Sequence, residues 1–145
     1  MAGASGRDHP QDARIAVIVL DASAAVELLG DTARGQQVAE RLQHEAVSHA
    51  PHLLDIEVTN AIRRQLALGA LAEERAQRAL LLFVLLPIQR HSHLPLLGRI
   101  WDLRHNFSAY DACYLALTEA LDATLLTCDS ALRSARLSRG EVEVL

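Results

Sequence analysis

Lysine is absent from this chain of 145 residues; all 14 basic residues are arginines. A GC-rich genome explains that bias as readily as any preference for the bidentate grip of arginine on phosphate. The absence still disfavours phosphoaspartate enzymes and response-regulator receivers, which need a lysine or its equivalent beside the phosphate. No glycine-rich phosphate loop is present, which disfavours a nucleotide-binding enzyme. A haloacid-dehalogenase-type pattern would place a second acid two residues after the first, and Ser23 stands there after Asp21. The two cysteines, Cys113 and Cys128, form no disulfide framework and have no metal-ligand spacing; they read as buried or half-buried thiols. The longest apolar run, Ala79 to Leu86, falls far short of the ~20 residues of a membrane span. Residues 1–14 lack an apolar signal-like core. The expectation is a cytoplasmic protein with no membrane partner. A net charge of −4 argues against a non-specific nucleic-acid binder. It leaves room for a nuclease that gathers carboxylates in one site and sets arginines around it.

Half of the residues are hydrophobic, enough for one domain with a core of its own. Residues 1–14 read as a mobile extension and 15–145 as a single domain. The run Ile15 to Leu20 has the continuous β-branched pattern of a strand buried on both faces. Helical patterns follow over 22–29, 32–43, 52–68, 71–85, 95–104, 108–121 and 130–137. Short strands are expected over 46–50, 87–91, 123–127 and 142–145. In the third helix Leu54, Val58, Ile62 and Leu66 form an apolar stripe, and Gly69 ends it. Strands alternating with helices imply an α/β fold with helices on both faces of a parallel sheet, and ligands bind such sheets beyond the carboxyl ends of the strands.

Two acids fall there. Asp21 follows the first strand and Asp129 follows the strand that ends at Thr127. Each also suits a helix N-cap. Asp111 sits three residues after Ser108, as in a capping box, but at the head of a helix that is apolar on nearly every side and therefore central. Glu57 shares a helix face with Asn60, Ala61 and Arg64, at the rim of the apolar stripe. Asp55 points elsewhere and reads as a solvated first-turn acid. Carboxylates that converge repel one another unless a divalent cation neutralises them. An all-oxygen donor set suits Mg²⁺ or Mn²⁺ rather than zinc, and a cation so placed acts on phosphate esters.

The segments Leu20 to Ala24, Glu57 to Ala61, Ser108 to Leu117 and Leu126 to Asp129 resemble, in order and spacing, the four acidic motifs of PIN domains. The short single-domain form is similar to VapC-type toxins of bacterial toxin–antitoxin pairs. The resemblance implies a three-layer α/β/α fold with a mainly parallel central sheet, and a Mg²⁺- or Mn²⁺-dependent endoribonuclease. It implies Asp21, Glu57, Asp111 and Asp129 as the catalytic and metal-binding acids, with Ser23, Asn60 and Thr127 as auxiliary polar positions. It also implies an RNA substrate, a VapB-type antitoxin and a homodimer. The alternative is a non-catalytic PIN-fold module that binds RNA or a partner.

Other features have two readings. His91 and His93 lack a third ligand at useful spacing and read as solvated loop residues. Trp101, Phe107, Tyr110 and Tyr114 cluster around the third acid. They suit stacking on unpaired bases or burial in the core or a dimer interface. Tyr110 is expected to line the site, and Trp101 and Tyr114 to serve the interface. Arg63 and Arg64 follow Glu57, and Arg133, Arg136 and Arg139 follow Asp129; each group suits phosphate contact or a solvated face. The apolar late part of the helix reaching Leu86 reads as core or as a groove wall for the antitoxin.

Overall fold

In a computed structural model of the chain the described residues are 16–45 and 47–145. The expected extension over 1–14, with Ile15 and Ala46, lies outside them. Among the described residues β1 (Ile18–Leu20), β2 (Ser48–Pro51), β3 (Ile88–His91), β4 (Thr124–Thr127) and β5 (Glu141–Val144) form one sheet in the order β3-β2-β1-β4-β5. Every pairing is parallel. The helices are α1 (Ala22–Leu29), α2 (Ala33–Leu42), α3 (Leu53–Ala67), α4 (Glu73–Leu85), α5 (Leu97–Asp102) and α6 (Ala109–Leu121). β1 and β4 are buried at every position, so helices cover both faces of the sheet centre.

The chain leaves β1 toward β2 on one side and returns beside it as β4 on the other. That reversal opens a crevice past the carboxyl ends of β1 and β4. The register pairs Leu20 with Leu126, which brings Asp21 and Asp129 to the same end. From Ala112 to Glu119 every residue of α6 is buried, as its nearly all-round apolar pattern requires. The stripe of α3 buries Leu54, Val58 and Ile62, whereas Leu66, near the end of the helix, lies outside the core. Gly69, at φ +71°, closes that helix by donating its amide to the Leu66 carbonyl. Gly35 serves a different need. A Cβ there would stand 2.1 Å from the Glu27 carbonyl oxygen, so only glycine lets α2 pack against the end of α1.

Several expectations change. The helix expected over 95–104 is split into a 3₁₀ turn, Leu94–Leu96, with Pro95 in its first turn, and the short α5. The helix expected over 130–137 contracts to a 3₁₀ turn, Ser130–Ser134. Ala135 is already extended, and the Ser138 amide is drawn to Glu119 Oε1 at 2.9 Å. His91 ends β3, as the strand expected over 87–91 has it and not as a solvated loop residue, and its Nε2 stands 2.9 Å from Nδ1 of His49 on the neighbouring strand. Asp55 is held by Arg90 at 2.8 Å rather than left to solvent. Tyr114 is only 1% exposed and belongs to the core, so it presents nothing to a dimer interface; Trp101 is 66% exposed. On α4, Ala76 and Phe83 face the core while Leu81, Leu82, Val84 and Leu85 stay exposed. No helix among the described residues is long and apolar enough to cross a membrane.

Candidate active site

Asp21 is the first residue past β1, and it is buried. It occupies the N-cap position of α1, yet its carboxylate makes no cap bond. Instead, two hydroxyls converge on its Oδ2: Ser23 Oγ donates at 2.7 Å and Thr127 Oγ1 at 2.6 Å. Each hydroxyl is held in turn by a backbone amide of the segment leaving β4. The Cys128 amide donates to Ser23 Oγ at 2.9 Å, and the Asp129 amide to Thr127 Oγ1 at 3.0 Å. Two successive peptide N–H groups thus orient two hydroxyls, and both hydroxyls orient one carboxylate oxygen. The acceptor capacity of Oδ1 is left for the crevice.

Glu57 arrives from α3. Its Oε1 is buried and has no hydrogen-bond partner among the described residues. Burial raises its pKa. The nearby Tyr114 hydroxyl pulls the other way, and repulsion from Asp21 and Asp111 adds to the rise. The Tyr114 hydroxyl is likewise buried without a partner among the described residues. Burial and the charges of Glu57 and Asp21 push the phenol far above its ordinary value, so it stays protonated. Asp111 lies in the first turn of α6, where its amide donates to the Ser108 side chain at 3.2 Å. The capping geometry and a place facing the crevice therefore coexist. Its pKa is raised by burial first, then by Asp21 and Asp129.

Asp21, Glu57 and Asp111 come from three different elements; the charges of Asp21 and Asp111 both bear on Glu57, and that of Asp21 bears on Asp111. Asp129 reaches this group through Asp111, and its Oδ1 caps the following turn by accepting from the Ala131 amide at 2.9 Å. Among the described residues no three Asp, Glu, His or Cys side chains already stand close enough to enclose one ion. The acids form an open set. The donors are nevertheless those of a hard cation. All are oxygens, one of them a buried oxygen without a partner, and mutual repulsion is the charge that a divalent ion relieves.

Beside the acids lies an open cleft of about 370 Å³. Glu57, Asn60, Ala61 and Arg64 form one wall, so the face inferred from their spacing on α3 is the face that lines the cleft. The other wall carries Ser23, Glu27 and Arg34, and Cys128 sits between. Asn60 Oδ1 accepts from Arg63 at 3.0 Å. Arg34 and Arg64 join no ion pair among the described residues. Periodicity pointed to Arg64 and missed Arg34, whose place depends on the tight α1–α2 corner at Gly35. Tyr110 is exposed over a separate apolar hollow with Leu53, His93 and Leu97, so it does not line the acidic cleft. Burial raises the pKa of the Cys128 thiol, and that of Cys113 to about 11.

Comparison with known proteins places the chain in a family. The family model described as PIN domain matches residues 18–137. Ribonuclease VapC1 of Mycobacterium tuberculosis is 44% identical over 118 residues, covering 81% of this chain and 89% of the relative. Ribonuclease VapC12 of the same organism is 38% identical over 129 residues, covering 89% and 99%. Among solved structures, the crystal structure of VapBC2 from Rickettsia felis, bound to a DNA fragment from their promoter, superposes with a TM-score of 0.64. It is 14% identical and covers 88% of this chain and 97% of that one.

Proposed function

The chain belongs to the PIN-domain family, and on that premise we propose that it is the toxin of a type II toxin–antitoxin pair, an endoribonuclease that cleaves RNA phosphodiesters with water. The observation that carries this reading is the convergence of Asp21, Glu57 and Asp111 from three elements on the crevice beyond β1 and β4. The Oε1 of Glu57, buried without a partner among the described residues, supports a set that takes a ligand.

Asp21, Glu57 and Asp111 would hold Mg²⁺ or Mn²⁺ by closing on the ion, with Asp129 as the fourth acid at the edge. When bound, the cation supplies Lewis acidity toward water and toward a phosphoryl oxygen. Ser23 and Thr127 fix Asp21 so that its free oxygen faces the crevice. Arg34 and Arg64, which join no ion pair among the described residues, hold phosphates flanking the scissile one. Asn60 lies on the same wall and holds Arg63 against α3. Because water and not the 2′-hydroxyl is the nucleophile, the products carry 5′-phosphate and 3′-hydroxyl ends.

A ribonuclease that acts in the cytoplasm on the cell's own RNA needs restraint. A VapB-type antitoxin supplies it, covering the exposed apolar side of α4 (Leu81, Val84 and Leu85) and placing an arginine in the acidic crevice, where it competes with cation and RNA. The exposed Trp101 on α5 suits a homodimer contact. Expression of the chain alone and with its genomic neighbour tests the scheme. Growth arrest relieved by the neighbour, and lost in Asp21→Asn, supports it. Absence of toxicity and of a co-purifying partner contradicts it.

A further inference from the structure

Tyr114 lies wholly inside the core, where phenylalanine would fill the same space without a polar atom to satisfy. A buried hydroxyl without a partner is costly, and such groups persist where they have a task. Among the described residues the buried side-chain polar atoms without a partner are two, the Tyr114 hydroxyl and Glu57 Oε1. They belong to neighbouring side chains, and their chemistry is complementary: a phenol donates and a carboxylate accepts. The other nearby carboxylate offers less, since Oδ2 of Asp21 already accepts from Ser23 and Thr127. Glu57 has one buried oxygen, Oε1, while its side chain lines the open cleft. Tyr114 also sits three residues after Asp111 on α6, so one helix face delivers both an acid and the hydroxyl that meets the acid from α3.

We propose that Tyr114 is the positioning residue of Glu57: its hydroxyl donates to the buried Oε1 and thereby turns Oε2 outward into the cleft. The bond would close as Glu57 takes its place in the cation-loaded site, and it would fix which oxygen of Glu57 is offered there. Tyr114 touches neither substrate nor cation. This inference rests on the cation-dependent reading above.

The test is Mn²⁺ binding to the full chain by titration calorimetry, in the parent protein, Tyr114→Phe, Glu57→Gln and the double variant. Removing the outer partner of a metal ligand typically weakens affinity roughly 10- to 100-fold. Tyr114→Phe is expected to do so while its metal-free melting temperature stays level or rises. In the Glu57→Gln background it is expected to change Mn²⁺ affinity no further. Parent-like binding by Tyr114→Phe overturns the proposal, as does an equal loss in both backgrounds, which would mark a packing effect. Should Tyr114→Phe fail to fold, Tyr110→Phe leaves Tyr114 as the single tyrosine. Mg²⁺ must then produce a tyrosine ultraviolet difference spectrum, and its absence overturns the proposal. Failure of the parent chain to bind Mn²⁺ at all removes the cation-dependent reading, and this inference with it.

Discussion

Thr127 and Asp21, 106 residues apart, are joined by a 2.6 Å hydrogen bond from the threonine hydroxyl to the Oδ2 of the aspartate. The bond ties the exit of β4 to the exit of β1 and sets the orientation of the most buried acid in the crevice. Ser23 reinforces it on the same oxygen. Thr127→Val keeps the shape but removes the donor and strands the Asp129 amide. It is expected to cost about 2 kcal/mol of stability and roughly 10-fold in Mn²⁺ affinity. Thermal melts and calorimetry check both, and an unchanged Mn²⁺ affinity contradicts the orienting role.

The pH dependence of the metal-free chain has a defined sign. Glu57 and Asp111 bind protons more tightly folded than unfolded, chiefly because they are buried. Their stabilising contribution is therefore complete below the ordinary carboxylate range, about pH 4, and is lost as pH rises through their elevated values. Glu119 has the opposite sign: Arg99 holds its pKa down, so its contribution is lost on acidification. The informative quantity is thus the parent minus Asp111→Asn. The variant is expected to melt higher than the parent near neutral pH without metal, with the gap closing in mild acid. A gap that is independent of pH contradicts the assignment.

Divalent ions are expected to reverse that order. Mg²⁺ or Mn²⁺ is expected to raise the parent's melting temperature by binding the native state, and Asp111→Asn should respond less. The same ion response in Asp21→Asn, Glu57→Gln, Asp111→Asn and Asp129→Asn would show that the acids share no site.

The α1–α2 corner makes a structural prediction with a functional consequence. Gly35→Ala forces a methyl group into the Glu27 carbonyl, 2.1 Å away. The expected loss is about 3 kcal/mol, read from denaturant unfolding. Any folded fraction should bind RNA less well, because Arg34 precedes Gly35 and moves with it. A loss under about 0.5 kcal/mol would show that the corner yields.

On α4, Leu81→Glu places a charge where the side chain is 68% exposed. Stability is expected to change by no more than about 0.5 kcal/mol, while affinity for the antitoxin falls at least tenfold. Co-purification of the two proteins measures this, and undiminished capture would move the antitoxin to another face.

Strand and helix positions were legible because buried strands and amphipathic helices carry periods that a sequence displays. Asp21 and Asp129 were legible as acids at strand ends, and Glu57 through the helix face it shares with Asn60 and Arg64. Contacts that depend on register across the sheet were not. The pairing of Ser23 and Thr127 on one oxygen, the His49–His91 contact and the Arg90–Asp55 ion pair join residues whose meeting no local pattern encodes. Tyr114 was misassigned because an aromatic near a site suits an interface as well as a core, and only the burial of α6 separates the two. The outward face of α4 was obscured because an apolar run reads alike whether its partner is the core or another chain.

The central claim is that these acids direct water, with a divalent cation, against an RNA phosphodiester. The most direct measurement is the end chemistry of RNA cleaved by the purified chain in Mn²⁺, beside a chelator control and Asp21→Asn. The account predicts 5′-phosphate and 3′-hydroxyl ends, with cleavage abolished by chelation and by the substitution. Products ending in 2′,3′-cyclic phosphate, or undiminished cleavage by Asp21→Asn, would contradict it.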